Sequence, residues 1–118
     1  MNNNPWLELT HENVLNIVEK TIGKKLTNLF LARNSYINRV FELELAKSKE
    51  RIIVKFYRPD RWTKEMVLTE HALLESLYDS EIRVIPPIKY QNQTLFCFNN
   101  IFFTIFPKRG GRAMDELD

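Results

Sequence analysis

A chain of 118 residues that is 44% hydrophobic and 12% aromatic has the material for one domain, or one lobe of a larger protein, and not the composition of a disordered segment. Its 17 Lys and Arg against 15 Asp and Glu leave a formal charge of +2, with no long basic block, which argues against nucleic acid or an anionic membrane as partner. The single cysteine, Cys97, excludes an intrachain disulfide and a cysteine-based metal site, and the longest strongly apolar run, 101–106, is too short to span a bilayer. The start, Met1 to Trp6, carries no basic and apolar leader pattern, so a soluble cytoplasmic protein is expected.

In chain order, a first helix is predicted over His11–Ile22. Thr10 is its N-cap, Val14, Leu15, Val18 and Ile22 its apolar stripe, and Gly23 its stop. Residues 29–32 read as a short strand, followed by the polar turn Arg33-Asn34-Ser35-Tyr36. The next strand, 40–46, alternates: Phe41, Leu43 and Leu45 face one side, Glu42 and Glu44 the other. After a polar turn at 47–50 comes an apolar strand, 51–57, broken by Arg58-Pro59-Asp60. A second helix is predicted over 63–78. Met66, Glu70, Leu73 and Leu77 recur at helical spacing and are expected to share its core-facing stripe, which leaves His71 on the polar side. Pro86-Pro87 leads into a short strand at 88–90, and 95–98 with 101–106 forms a hairpin over Asn99-Asn100. Pro107 ends the last strand, and 108–112 is a connector. This order gives an α+β fold: an antiparallel five-stranded sheet packed by one main helix, with an extra N-terminal helix.

Lys55 near the end of the third strand and Glu70 on the following helix are the candidate functional pair. A carboxylate aimed at a core is costly unless a cation or hydrogen-bond donors meet it. A lysine on a buried strand with a glutamate on the next helix is the arrangement by which protein kinases hold ATP phosphates. Taken alone, a lysine at a strand end is most often solvated; the matching glutamate carries the functional reading. His11 and His71 are the only histidines, and no acidic cluster completes a metal site with them. Cys97 is expected to pack as a small hydrophobe, and Ser35 has no sequence-local base to make it a nucleophile.

Three segments go further. They are 34–41 (Asn-Ser-Tyr-Ile-Asn-Arg-Val-Phe), 54–63 (Val-Lys-Phe-Tyr-Arg-Pro-Asp-Arg-Trp-Thr) and 106–112 (Phe-Pro-Lys-Arg-Gly-Gly-Arg). With Glu70-His71 and Gln93-Thr94-Leu95, they resemble the bacterial stress response kinase A family, within the aminoglycoside phosphotransferase and choline kinase-like superfamily. The resemblance runs from about Asn34 to Arg112. It implies the N-terminal lobe of a two-lobed Ser/Thr protein kinase that uses ATP and Mg²⁺. On the matching residues it implies that Asn34, Ser35, Tyr36 and Asn38 form the turn over the phosphates. Lys55 would contact the α- and β-phosphates, Glu70 would orient it through an ion pair, and Phe106 and Lys108 would lie near the hinge, where backbone groups meet adenine.

The phosphate turn departs from that of eukaryotic protein kinases in holding no glycine; Gly23, Gly110 and Gly111 are the only ones. Backbone N–H groups of an Asn/Ser turn can still cradle phosphate. The aspartate that positions the attacking hydroxyl, and the metal ligands, sit in this superfamily in a His-Gly-Asp loop and a later Asp-rich turn. Asp60, Asp79, Asp115 and Asp118 fit neither pattern. No catalytic residue and no metal ligand is therefore expected in this chain; they belong to a C-terminal lobe. The expected division is a nucleotide-binding lobe at 1–107 and a hinge or connector at 108–118, in an engineered fragment or the product of a shortened gene. The phosphoacceptor is a protein or a small-molecule hydroxyl, with neither nucleic acid nor membrane as partner. Three other readings stay open. One is a non-catalytic binding or regulatory module derived from such a lobe, with the exposed inter-lobe face serving as an interface, including a homodimer. The second is the lobe of a small-molecule phosphotransferase of aminoglycoside or choline type. The last is a small α+β binding domain whose Lys55–Glu70 pair is structural.

Overall fold

The computed structural model describes residues 4, 6–33, 35, 37–81 and 83–108. Helix α1 (His11–Ile22) begins where the Thr10 side chain accepts the Asn13 N–H, and it ends where Gly23 enters the left-handed region at φ 70. The chain then forms β1 (Leu26–Arg33), β2 (Arg39–Leu45), β3 (Arg51–Phe56), α2 (Lys64–Asp79), β4 (Phe96–Phe98) and β5 (Ile101–Pro107). The strands make one sheet in the order β1-β2-β3-β5-β4, every neighbouring pair antiparallel. The fold is α+β, consistent with the N-lobe of a kinase.

Strand alternation sorts the core into two layers. Phe41, Leu43, Ile52, Val54, Phe56, Phe103 and Ile105 project from one face and bury the stripe Val14, Val18 and Ile22 of α1. Val40, Ile53 and Phe106 project from the other face, against Leu74 of α2. The two helices therefore cover opposite faces, and this is why β3 is buried along nearly its whole length instead of alternating.

Four details differ from the sequence expectations. β1 is longer than 29–32, because an irregular register between Leu26 and Phe30 lets the pairing with β2 continue. The strand expected at 88–90 reduces to a single bridge, Tyr90 to Gln93, plus one bond from Ile88 N–H to the Ile105 carbonyl at 2.8 Å. Pro86 and Pro87 have no N–H to extend that pairing. Cys97 is exposed and not packed. It is the middle residue of a three-residue edge strand, and its neighbours Phe96 and Phe98 take the inward side. The hairpin turn at Asn99 and Asn100 forms as expected, with φ 49 and 67.

The fourth difference bears on the site. The buried residues of α2 are Val67, His71 and Leu74, while Met66 and Leu73 are exposed and Glu70 and Leu77 half-buried. The helix is turned by about 100°, one residue, from the expected stripe. Both stripes have helical spacing, and counting His71 as polar selects the wrong one. Thr94 and Thr104 offer hydrogen-bond partners to both nitrogens of a buried His71. The charged Glu70 is left at the edge of the helix. No helix among the described residues is long and apolar enough to cross a membrane.

Candidate functional site

Lys55 lies on β3 between Val40 of β2 and Thr104 of β5, and its side chain is buried, with 6% exposure. Its Nζ stands 5.1 Å from the ring centroid of Tyr57, which is fully buried two residues further on and on the same face. The Tyr57 hydroxyl in turn donates to Glu70 Oε1 at 3.4 Å. Tyr57 thus stands between lysine and glutamate. Among the described residues the Lys55–Glu70 ion pair is not formed, because the turn of α2 brings Glu70 to the phenol and not to the ammonium.

His71 lies near Lys55, against the Thr104 that pairs with it. Its Nδ1 is 2.7 Å from Thr94 Oγ1 and its Nε2 3.2 Å from Thr104 Oγ1. Burial, and then the charge of Lys55, pull its pKa down from 6.5 to about 4, so the ring is neutral at pH 7. The sequence expectation of a solvated or capping histidine is overturned: the ring is the polar fastening between α2 and the sheet.

The remaining candidates divide. Asn38 is buried, and its Oδ1 accepts the Arg58 N–H at 2.9 Å, which ties the entry of β2 to the chain leaving β3. Ser35 is half-buried; Asn34 and Tyr36 lie outside the described residues. Phe106 is buried among Val40, Ile53 and Leu74. Lys108 is no free cation at the start of a connector, since its Nζ donates to Glu42 Oε2 at 3.1 Å. Residues 109–118, including Asp115 and Asp118, lie outside the described residues. Among the described residues no three His, Cys, Asp or Glu side chains come together as a metal site.

Glu42 is the residue that sequence reasoning missed. Its carboxylate is 2% exposed and takes Arg33, Arg51 and Lys108 together. Burial alone would raise its pKa; Lys108, Arg51 and Arg33 outweigh that and hold it below the usual carboxylate value. The available signal was symmetric: Arg33 and Arg51 each stand nine residues from Glu42, across the two hairpins that flank β2. The cluster lies on the same sheet face as Lys55, one strand over, and joins β1, β2, β3 and the residue after β5.

An antiparallel five-stranded sheet, a buried lysine on β3 and a helix directly after it are consistent with the N-terminal lobe of a kinase. The chain is homologous to the N-terminal quarter of stress response kinase A. It is 39% identical over 87 residues to the Escherichia coli K12 protein of that name, covering 72% of this chain and 26% of that one. It is 37% identical over the same length to stress response kinase A of Salmonella choleraesuis and to the serine/threonine protein kinase RdoA of Salmonella typhimurium. No protein-family model matches the chain. The chain spans about a quarter of the length of these curated relatives.

Proposed function

We propose that this chain is the ATP-binding lobe of a Ser/Thr protein kinase of the stress response kinase A type, at residues 1–107, with 108–118 leading to the lobe that completes the site. The observation that carries this reading is Lys55: an ammonium 6% exposed on β3, beside an apolar layer. In that setting the low local dielectric strengthens the attraction between the ammonium and phosphate oxygens. Lys55 would hold the α- and β-phosphates, with residues 34–38 covering them and Phe106 and Lys108 at the adenine end. Glu70 acts on Lys55 through Tyr57: its bond to the phenol fixes the ring against which the ammonium lies. Mg²⁺ ligands and the aspartate for the acceptor hydroxyl, of a protein or a small molecule, come from outside this chain.

The test is an NMR titration of Mg-ATP into the ¹⁵N-labelled chain and its Lys55→Ala variant, carried past a Kd on the order of 1 mM. Shifts at Ser35, Asn38, Lys55, Phe106 and Lys108 that vanish in the variant support the reading. Unchanged spectra, or shifts that survive Lys55→Ala, reject it.

A further inference from the structure

The loops from α1 to β1 and from β2 to β3 meet at the end of β3 opposite Lys55. Ala46 N–H donates to the Lys25 carbonyl at 2.9 Å, Leu45 N–H to the Glu50 carbonyl at 2.8 Å, and Lys49 N–H to the Leu45 carbonyl at 3.0 Å. Lys49 itself holds a left-handed φ of 66. These bonds frame an open cavity of about 640 Å³ lined by Lys24, Lys25, Leu45, Ala46, Lys47 and Glu50. Leu45 and Ala46 supply its apolar side chains, and Lys24, Lys25, Lys47 and Glu50 its charged ones. Lys24, Lys25, Lys47 and Lys49 are exposed, and none is in an ion pair among the described residues. The nearby carboxylate, Glu50, is met by the Ser48 hydroxyl. Three lining lysines, with Lys49 on the adjoining turn, outnumber Glu50 and the Glu19 carboxylate that accepts the Leu26 N–H at 2.8 Å, so this end is locally positive. The sequence shows no basic block because the fold assembles these lysines from two loops.

We infer that this cavity docks an acidic peptide segment carrying an apolar side chain between its carboxylates. Several carboxylates are needed to meet lysines on two loops, and Leu45 and Ala46 take one apolar anchor side chain. A bilayer is a poor fit, since the apolar surface is sunken and cannot insert. Single-stranded nucleic acid is a poor fit as well, since no aromatic side chain lines the cavity for a base to stack on.

The experiment titrates acetyl-Glu-Glu-Leu-Glu-Glu-amide into the ¹⁵N-labelled chain, alongside the same peptide with serine at the centre and one with lysines in place of the glutamates. The expected result is shifts confined to residues 24–26 and 45–50. They should weaken about tenfold with the serine peptide, as one buried leucine requires, and fade as salt is raised. The lysine peptide should be silent. Lys25→Glu with Lys47→Glu, both exposed and at the end of β3 away from Lys55, should abolish the shifts while the amides around Lys55 stay in place. Silence with the acidic peptide, equal response to the lysine peptide, or binding that survives the double reversal overturns the inference. So does binding of phosphatidylserine-containing vesicles or of a single-stranded oligonucleotide through these lysines while the acidic peptide stays silent.

Discussion

Thr104 Oγ1 stands 3.2 Å from His71 Nε2, and this contact fastens α2 to β5 at the residue paired with Lys55. With Thr94 Oγ1 2.7 Å from Nδ1, the neutral ring uses one nitrogen as donor and the other as acceptor. Protonation would remove the acceptor and place a second cation beside Lys55.

The consequence is a pH dependence of folding. The folded pKa of His71, about 4, lies below its ordinary 6.5, so the stabilisation is complete above pH 6.5 and is lost as the pH falls through that window toward 4. The loss should be on the order of 3 kcal/mol for a fully formed shift. His71→Gln keeps a donor and an acceptor but does not titrate. Urea unfolding of this variant from neutrality to about pH 4 should lack the His71 share of the slope, and an unchanged slope would assign the dependence to other groups.

The turn of α2 is tested by truncation. Leu74→Ala should cost about 2–4 kcal/mol, and Val67→Ala somewhat less, because both empty a filled core position. Met66→Ala and Leu73→Ala should stay within about 0.5 kcal/mol, since both side chains are exposed. The denaturation midpoints of the four variants decide it. Equal losses across both stripes would show that the helix does not present Val67, His71 and Leu74 to the sheet.

Where local chemistry fixes the answer, the sequence was legible. Thr10 and Gly23 bound α1 as their capping chemistry requires, and Asn99-Asn100 turns the last hairpin. The run from Ile52 to Phe56 marked the strand that carries Lys55. Where the answer depends on what lies opposite, it was not. The burial of His71 rests on Thr94 and Thr104, both more than twenty residues away in the chain. The Glu42 cluster needs the register of two hairpins before its spacing means anything. Cys97 looked like a core residue because its neighbours are, but an edge strand of three residues buries only alternate side chains.

Glu42→Gln is expected to destabilise the lobe by about 2–3 kcal/mol, short of the 3–5 kcal/mol for a fully buried broken pair. Arg33, Arg51 and Lys108 are 26%, 37% and 31% exposed and can turn to water once the carboxylate is gone. Because the folded pKa of Glu42 is lowered, its contribution is present above the ordinary value of 4.5 and is lost as the pH falls through the folded value. The variant should therefore lose stability at neutral pH and converge on the wild type in acid. Glu44→Gln, whose carboxylate has one weaker ion pair at 3.4 Å, should change stability by about 0.5 kcal/mol or less. Matched losses in the two variants at neutral pH would contradict the special place of Glu42.

Tyr57 offers the sharpest separation of packing from positioning. Tyr57→Phe leaves the ring against Lys55 and removes only the hydroxyl that reaches Glu70, a 3.4 Å contact that should be worth about 0.5–1 kcal/mol. Tyr57→Leu removes the aromatic face as well, and with it an attraction for the ammonium of about 0.5–2 kcal/mol. If the ring sets the place of Lys55, the Lys55 response to Mg-ATP persists in Tyr57→Phe, with a reduced amplitude because Glu70 no longer holds the phenol. In Tyr57→Leu it falls toward that of Lys55→Ala, even in samples whose amide dispersion shows an intact sheet. A leucine variant that responds to nucleotide like the wild type would leave Tyr57 a core residue only, with Lys55 placed by β3 alone.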